Sequence, residues 1–275
     1  MKLPLRLLAV LSLILSALPP VRAADDVAAV ITRCRAFVGS ETALKSIQCV
    51  RYVGVLEATD AKGATVIKGQ LDVTFQSPYR MRQVITTAKT IETTGLDDFS
   101  SWVLEQNAAN PAQRRFNPRK VEAIARSRAN VWENLAFYRG IEAVGGRIED
   151  AGTVTLDGQT ARKLIFRHDN QIHFSRWFDP ASGRLLLTET DDGTAIREEG
   201  EIRSGGLRFP KKLVNTTKDP AGTTGKLTII FEKITVNEPL DAGAFAPPLL
   251  GPPAAPAGDA LKLPKLGTDL APAAK

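Results

Sequence analysis

The chain has 275 residues and a formal net charge of +6, from 36 basic and 30 acidic residues. The charges are spread along the sequence, which indicates an ordinary solvated surface and argues against a nucleic-acid-binding stripe. The densest basic segment, residues 114–128, leaves contact with anionic lipid head groups open as an alternative.

The first 23 residues have the pattern of a secretory signal peptide. Lys2 and Arg6 precede a short apolar run over residues 7–18, and the small-residue site Val21-Arg22-Ala23 follows. This run is shorter than the ~20 residues that span a bilayer, although an uncleaved membrane anchor is the alternative. Cleavage leaves 33 basic and 30 acidic residues, a charge of +3, and we expect the mature protein in a bacterial periplasm.

Two helices are predicted to open the mature chain. Apolar residues recur at helical spacing over residues 25–38, Gly39 ends this helix, and Ser40 can cap a second helix over residues 41–48. Cys34 lies on the first helix and Cys49 opens the next strand. In an oxidising compartment a Cys34–Cys49 disulfide is favoured over the alternative, two buried free thiols.

The chain then becomes rich in strand patterns. Strands are expected over residues 49–58, 66–76 and 79–86 and, as a pair, within 89–106. The second of these alternates most clearly between apolar and polar residues, which is typical of a strand with one buried face. Residues 107–120 indicate a loop. Residues 121–140 indicate a helix that interrupts the sheet and is a candidate lid.

The second half of the domain is predicted to be an antiparallel meander. Turn signals recur about every 10 to 14 residues between Gly152 and Thr217, and residues 225–237 supply a last strand. Asp179 lies beside Trp177 and Phe178 and could be a catalytic carboxylate. The segment Asp179-Pro180-Ala181-Ser182-Gly183 instead has the composition of a tight turn between two strands. The Pro/Ala-rich residues 249–275 are expected to form an extended, disordered tail.

The sequence carries no motif of a known catalytic or metal site. It has no GxSxG or HExxH pattern and two histidines, His168 and His173, which flank a predicted turn. Asp169 is the sole candidate nearby for a third metal ligand, and surface hairpin residues are the simpler interpretation. We therefore expect no catalytic residue, metal or cofactor.

Apolar residues on many strands are predicted to form one face of a single sheet. The candidates are Leu71, Val73, Phe75, Met81, Trp102, Leu104, Leu164, Phe166, Leu185 and Leu187. Such a face must be covered, either by helices that pack it dry or by helices that leave a cavity for an apolar ligand. The pattern alone leaves both open. A register error of one residue would replace these residues by their neighbours.

Several segments have turn and strand patterns that occur together in one known family. They are AFVGSETALKSIQCVRYVGVLE, SPYRMRQVI, GLDDFSSWVLE, VTLDGQTARKLIF, FDPASGRLLLTE, GLRFPKKLV and FEKITVNEPLDAGAFAPP. In this order, over residues 27–248, the chain resembles the outer-membrane lipoprotein-sorting family of periplasmic proteins. That family includes the carrier LolA, the acceptor LolB and the sensing domain of the regulator RseB. Val38 departs from the family's glycine pair, and the two cysteines and the tail are additions.

The resemblance implies a mainly β fold over residues 24–248, an unclosed antiparallel half-barrel with N-terminal helices, a hydrophobic concave face and a helical lid. It implies a monomeric, cofactor-free carrier that binds acyl chains of lipids or lipoproteins, with the ten apolar residues named above as the cavity lining. The alternative is a sensor or interaction module that recognises lipidated or misfolded proteins and signals to an inner- or outer-membrane protein partner. An enzyme is the third alternative.

Overall fold

The computed structural model describes residues 26–169, 171–218, 224–241 and 243–249. The predicted signal peptide, residues 1–23, lies outside these ranges, as does the predicted tail beyond Leu249. Within the described ranges, no helix combines the length and the apolar character that a bilayer crossing requires.

Three α-helices and one short 3₁₀ helix form in the described ranges. They are α1 (Val27–Val38), α2 (Glu41–Ser46), α3 (Val121–Leu135) and the 3₁₀ helix Ile141–Val144. α1 ends at the predicted position, where the Gly39 N–H donates to the Arg35 carbonyl. The Ser40 hydroxyl accepts from the Ala43 N–H at 3.2 Å and caps α2 as expected.

Fifteen strands form in the same part of the chain. They are β1 (Cys49–Thr59), β2 (Thr65–Gln76), β3 (Arg80–Thr87), β4 (Thr90–Asp97), β5 (Ser100–Asn107), β6 (Arg114–Pro118), β7 (Arg147–Leu156), β8 (Gln159–Arg167), β9 (His173–Phe178), β10 (Leu185–Thr190), β11 (Ala195–Glu199), β12 (Ile202–Ser204), β13 (Leu207–Phe209), β14 (Lys212–Lys218) and β15 (Thr224–Val236).

Thirteen of these strands form one antiparallel sheet, in the order β6-β5-β4-β3-β2-β1-β15-β14-β11-β10-β9-β8-β7. The two edge strands, β6 and β7, do not pair with each other, so the sheet is unclosed. They follow each other along the chain and are joined by α3 and the 3₁₀ helix. The predicted mainly β half-barrel with N-terminal helices and a helical lid is therefore confirmed.

The concave face of the sheet holds most of the core. Its β1–β3 half contributes Tyr52, Phe75 and Met81 to one buried cluster, which also includes Phe209 of the separate β12–β13 hairpin. Its β8–β9 half packs against α1 in a second buried cluster. A third, smaller cluster surrounds Trp177, whose side chain points to the opposite side of the sheet from its neighbours in β9, Arg176 and Phe178. This cluster therefore lies on the convex face.

The second helix ends two residues before its predicted end, at Ser46, and two predictions differ from the structure by more than that. The predicted loop over residues 107–120 contains β6, which ends in Pro118; proline is tolerated there because an edge strand need not donate on its open side. The predicted helix over residues 121–140 ends at Leu135, because Phe137 and Tyr138 adopt positive φ angles of 49° and 70°. The Arg35 guanidinium donates to the Ala136 and Phe137 carbonyls at 3.0 and 2.7 Å and fixes this turn.

Asp179 is a turn residue, as the sequence predicts. Its Oδ1 accepts from the backbone N–H groups of Ala181 and Ser182 at 3.0 and 2.7 Å, and these hydrogen bonds hold the pKa of Asp179 below its usual range. Gly183 closes the turn with φ 76° and lies against the α1 backbone. The carboxylate therefore stabilises the β9–β10 connection.

The predicted Cys34–Cys49 disulfide is not formed, and both cysteines are buried free thiols. Cys34 packs in the cluster between α1 and β8. Cys49 lies at the start of β1, where its N–H donates to the Asn237 side chain at 3.2 Å. The two thiols thus lie in different surroundings. Their spacing of 15 residues along the sequence does not predict this separation.

Candidate functional site

A cavity of about 170 Å³ lies between the concave face of the sheet, the C-terminal half of α3 and the β12–β13 hairpin. Its apolar and aromatic lining comprises Val38, Tyr52, Phe75, Phe137, Tyr138, Phe174, Leu185, Ile196, Phe209, Pro210, Leu213 and Phe231. We call it the inner cavity. Because its walls come from both halves of the sheet, it depends on the half-barrel curvature.

A second cavity, of about 430 Å³, adjoins the first. The two share Val38, Tyr138, Leu185, Glu198 and Phe209 among their lining residues. We call the second one the outer cavity. A third, of about 470 Å³, continues from it along the C-terminal end of α1. Neighbouring cavities share lining residues, so the three lie side by side from the centre of the half-barrel toward the α1–hairpin side of the molecule.

A buried ion pair joins the lid helix to the sheet inside this region. Glu133 of α3 pairs with Arg176 of β9, and both line the inner cavity. The second Glu133 oxygen lies 2.6 Å from His168 Nε2; since a carboxylate only accepts, Nε2 carries the proton. Burial raises the pKa of Glu133, but the Arg176 charge and the His168 hydrogen bond outweigh it, so the pKa lies below its usual value.

Two further ion pairs hold α3 over the opening of the half-barrel. Arg126 pairs with Asp191 of the β10–β11 turn. Arg128 pairs with Asp98 of the β4–β5 turn and lies 3.7 Å from the ring centroid of Tyr79. The helix is thereby tied through charged groups to both halves of the sheet, and much of its buried surface is polar.

Glu198 of β11 lines both the inner and the outer cavity. Burial raises the pKa of its carboxyl to about 7, against the opposing charges of Arg176 and Arg184. Arg176 is already paired with Glu133. Glu198 thus places a carboxyl group that titrates near neutral pH at the junction of the two cavities.

The structure divides the ten predicted lining residues among three environments. Phe75 and Leu185 line the inner cavity. Leu71, Val73 and Met81 are dry core of the first half of the sheet, and Leu164 and Phe166 are dry core beneath α1. Trp102, Leu104 and Leu187 lie on the convex face, as described next. Part of the concave face is therefore packed by core residues, and part of it lines a cavity, so each of the two expectations from the sequence applies to one part.

Register explains the three residues on the convex face. Leu96 lies on the concave face, opposite Met81 of β3 and Ser101 of β5. Trp102 pairs with Gly95 and Leu104 with Thr93, which alternate with Leu96 along β4, so both side chains point to the convex face. A bulge in β10 pairs Leu185 with Phe178 but Leu187 with Trp177, so these two leucines face opposite sides. The assignment of these three to the concave face is therefore corrected.

Sequence reasoning missed the polar groups of the site. Glu133, Arg176 and Glu198 do not form a motif, and Glu133 and Arg176 are 43 residues apart. A signal existed in the alternation of β9, where Arg176 stands between Phe174 and Phe178 on one face. Across the described ranges, no three His, Cys, Asp or Glu side chains are placed to hold a metal ion.

The sequence matches no protein-family profile and no curated protein sequence. Among solved structures, a DUF1329 family protein from Desulfovibrio piger is similar with a TM-score of 0.51 and 11% identity, over 80% of this chain and 97% of the other. A LolA superfamily protein from Nitrosomonas europaea has a TM-score of 0.50 and 10% identity, over 76% and 98% of the two chains. A putative outer membrane lipoprotein-sorting protein domain from Vibrio parahaemolyticus has a TM-score of 0.49 and 12% identity, over 79% and 94%. The half-barrel and lid of this chain are thus the fold of the DUF1329 and LolA-superfamily structures, as the sequence resemblance predicts.

Proposed function

We propose that the protein is a periplasmic carrier that binds acyl chains of a lipid or lipoprotein beneath α3. The observation that carries this proposal is the inner cavity, whose walls are mainly apolar and aromatic side chains of the concave face. Each methylene moved from water into such a site contributes roughly 0.8 kcal/mol. The fold shared with the LolA-superfamily structure supports the same function.

The size of the cavity indicates that uptake involves movement. Pockets that enclose ligands of drug size measure roughly 300–1,000 Å³, and the inner cavity, at about 170 Å³, accepts only a short apolar segment. A longer chain needs α3 or the hairpin to move outward. α3 is held by ion pairs as well as by apolar residues such as Val131. Because water solvates the charged groups well once they separate, this movement costs less than exposing a wholly apolar face of the same area.

The test is the composition of the protein as a cell delivers it. Full-length protein would be expressed with its first 23 residues, purified from a periplasm without detergent, extracted with organic solvent and measured by mass spectrometry. A stoichiometric phospholipid or acylated peptide is expected. A lipid-free protein that instead retains a protein partner on purification would overturn the carrier and favour the sensor alternative.

A further inference from the structure

Both cavities contain charged groups of both signs, but the outer cavity has fewer apolar residues in its lining and adds Arg184 and Glu201. Arg184, Arg208, Glu198 and Glu201 all line it. Two of the four are matched to each other, since Arg208 donates to Glu201 at 2.9 Å. The Arg208 guanidinium also lies 5.1 Å from the ring centroid of Phe37 on α1, so this pair is part of the cavity wall.

The other two charges, Arg184 and Glu198, are not matched in this way. Within the described residues, neither side chain makes a hydrogen bond or an ion pair, and Arg184 donates only through its backbone N–H, to the Ser182 hydroxyl. They are near enough for the Arg184 charge to oppose the rise in the pKa of Glu198 that burial causes. Arg176, the other cation near Glu198, is already paired with Glu133. The outer cavity thus presents an anion and a cation that make no hydrogen bond or ion pair in the described residues, although the exposed Arg184 also lies near enough to Asp179 for its charge to lower the pKa of that carboxyl.

We propose that the outer cavity binds a zwitterionic phosphoethanolamine group, with its ammonium on Glu198 and its phosphate on Arg184. The inference deepens the proposed function and rests on it, because the acyl chain attached to this head group would enter the adjoining inner cavity. At about 430 Å³, the outer cavity falls within the size range of small-ligand sites.

Charge complementarity favours this head group over two others. An anionic head group that carries only a phosphodiester would leave the Glu198 carboxylate beside a second negative charge at a poorly solvated position. An uncharged head group would leave Glu198 without a counter-charge after water is displaced, which is costly for a charge at a poorly solvated position. A primary ammonium donates a charge-assisted hydrogen bond to the carboxylate, and such bonds are among the stronger ones.

The experiment compares dioctanoyl phosphatidylethanolamine with dioctanoyl phosphatidylglycerol, below their micelle concentrations, by native mass spectrometry of the full-length protein. The pH is kept above 7 so that Glu198 is ionised. We expect the wild type to prefer the ethanolamine lipid by about tenfold, the effect of one charge-assisted hydrogen bond. Glu198→Gln should abolish this preference by weakening the ethanolamine lipid alone. Arg184→Gln should weaken both lipids alike, because both carry a phosphate.

Glu199→Gln is the matched control, since Glu199 is exposed and pairs with Lys212 at 2.7 Å, and it should leave the preference unchanged. Equal binding of the two lipids by the wild type would overturn the head-group site and leave the carrier function standing. Binding of neither lipid would overturn both.

Free phosphoethanolamine, which has no acyl chain, should bind at least tenfold more weakly than the lipid; equal affinity would retain the head-group site and overturn the acyl-chain carrier.

Discussion

Glu133 of the lid helix and Arg176 of strand β9 form an ion pair in which the side chains are 5% and 7% exposed. His168 donates to the same carboxylate, so one acidic group on α3 satisfies two donors of the sheet. The lid is therefore fixed by a fully desolvated polar cluster at the wall of the inner cavity. Its energy depends on each member keeping its partners.

Glu133→Gln should destabilise the protein by about 3 kcal/mol, because it removes the carboxylate that pairs directly with the buried Arg176 guanidinium. Urea unfolding followed by circular dichroism measures this loss. Glu122→Gln, an exposed position in the first turn of the same helix, should change stability by less than about 0.5 kcal/mol. Equal stability of the two variants would show that the ion pair does not hold the lid.

Glu198→Gln should stabilise the protein at alkaline pH and leave it unchanged at acidic pH. Burial raises the pKa of Glu198 from 4.5 to about 7, despite Arg176 and Arg184, and the rings of Tyr52 and Tyr138 also face this carboxyl. Between pH 4.5 and about 7, the folded state therefore keeps a proton on Glu198 that the unfolded state has already lost. The contribution of the neutral acid to stability is complete below pH 4.5 and is lost as the pH rises through 7.

The size of this effect follows from the shift in pKa. Each unit corresponds to roughly 1.4 kcal/mol, so the free energy of unfolding of the wild type should fall relative to Glu198→Gln by about 3 kcal/mol over this window. Groups such as Glu133, whose pKa is lowered, are common to both proteins and cancel in the difference. Parallel stability–pH curves for the two proteins would contradict a buried carboxyl at this position.

The cysteines should react as free but inaccessible thiols. Burial raises the pKa of Cys34 to about 12 and that of Cys49 above its usual value, so neither forms much thiolate near neutral pH. Ellman's reagent should find no reactive thiol in the native protein and two after unfolding in guanidinium. Cys49→Ser should give one thiol after unfolding. No thiol in the unfolded wild type would restore the disulfide that the sequence predicts.

Gly95→Ala should destabilise the sheet by about 1–3 kcal/mol through overpacking on the convex face. A Cβ at Gly95 would lie 2.3 Å from Trp102 Cε2. The Trp102 indole cannot simply swing outward, because the segment around Phe245 covers it and the indole N–H donates to the Phe245 carbonyl. The ring must move, which tryptophan fluorescence and thermal unfolding both report. Gly225→Ala is the control, because the nearest atom to its added Cβ is 4.0 Å away. Comparable losses in the two variants would refute the close Gly95–Trp102 packing.

The sequence predicts the strands well because their signals are local. Alternation over two residues marks β2, and an Asp-Pro-Ala-Ser-Gly turn marks the boundary between β9 and β10. β6 lacks both signals: it has five residues, ends in proline and is hardly buried. Its pairing with β5 is a property of the completed sheet, so a local pattern cannot find it.

The site is less predictable than the fold, since it depends on register and on pairs distant in sequence. A single bulge in β10 sends Leu187 to the convex face while Leu185 stays at the cavity. In β5, Trp102 and Leu104 look like core residues and are buried, but on the convex face rather than beneath the lid. There the Trp102 ring stacks on Phe116 and its N–H donates to the Phe245 carbonyl. The Glu133–Arg176 pair joins a helix and a strand that no short motif connects.

Ile196→Trp should block ligand uptake without unfolding the protein. Ile196 is half-buried on β11 and faces the inner cavity, so an indole there would occupy much of its roughly 170 Å³. Displacing two methylenes of a bound chain costs about 1.6 kcal/mol, so the amount of co-purified lipid, measured by mass spectrometry of an organic extract, should fall about tenfold. Ile230→Trp is the matched control, because Ile230 is also a strand isoleucine but is 39% exposed on the convex face. Full lipid occupancy in both variants, with unfolding curves like that of the wild type, would place the ligand outside the inner cavity. Loss in Ile196→Trp alone would locate the acyl chain between the lid and the sheet.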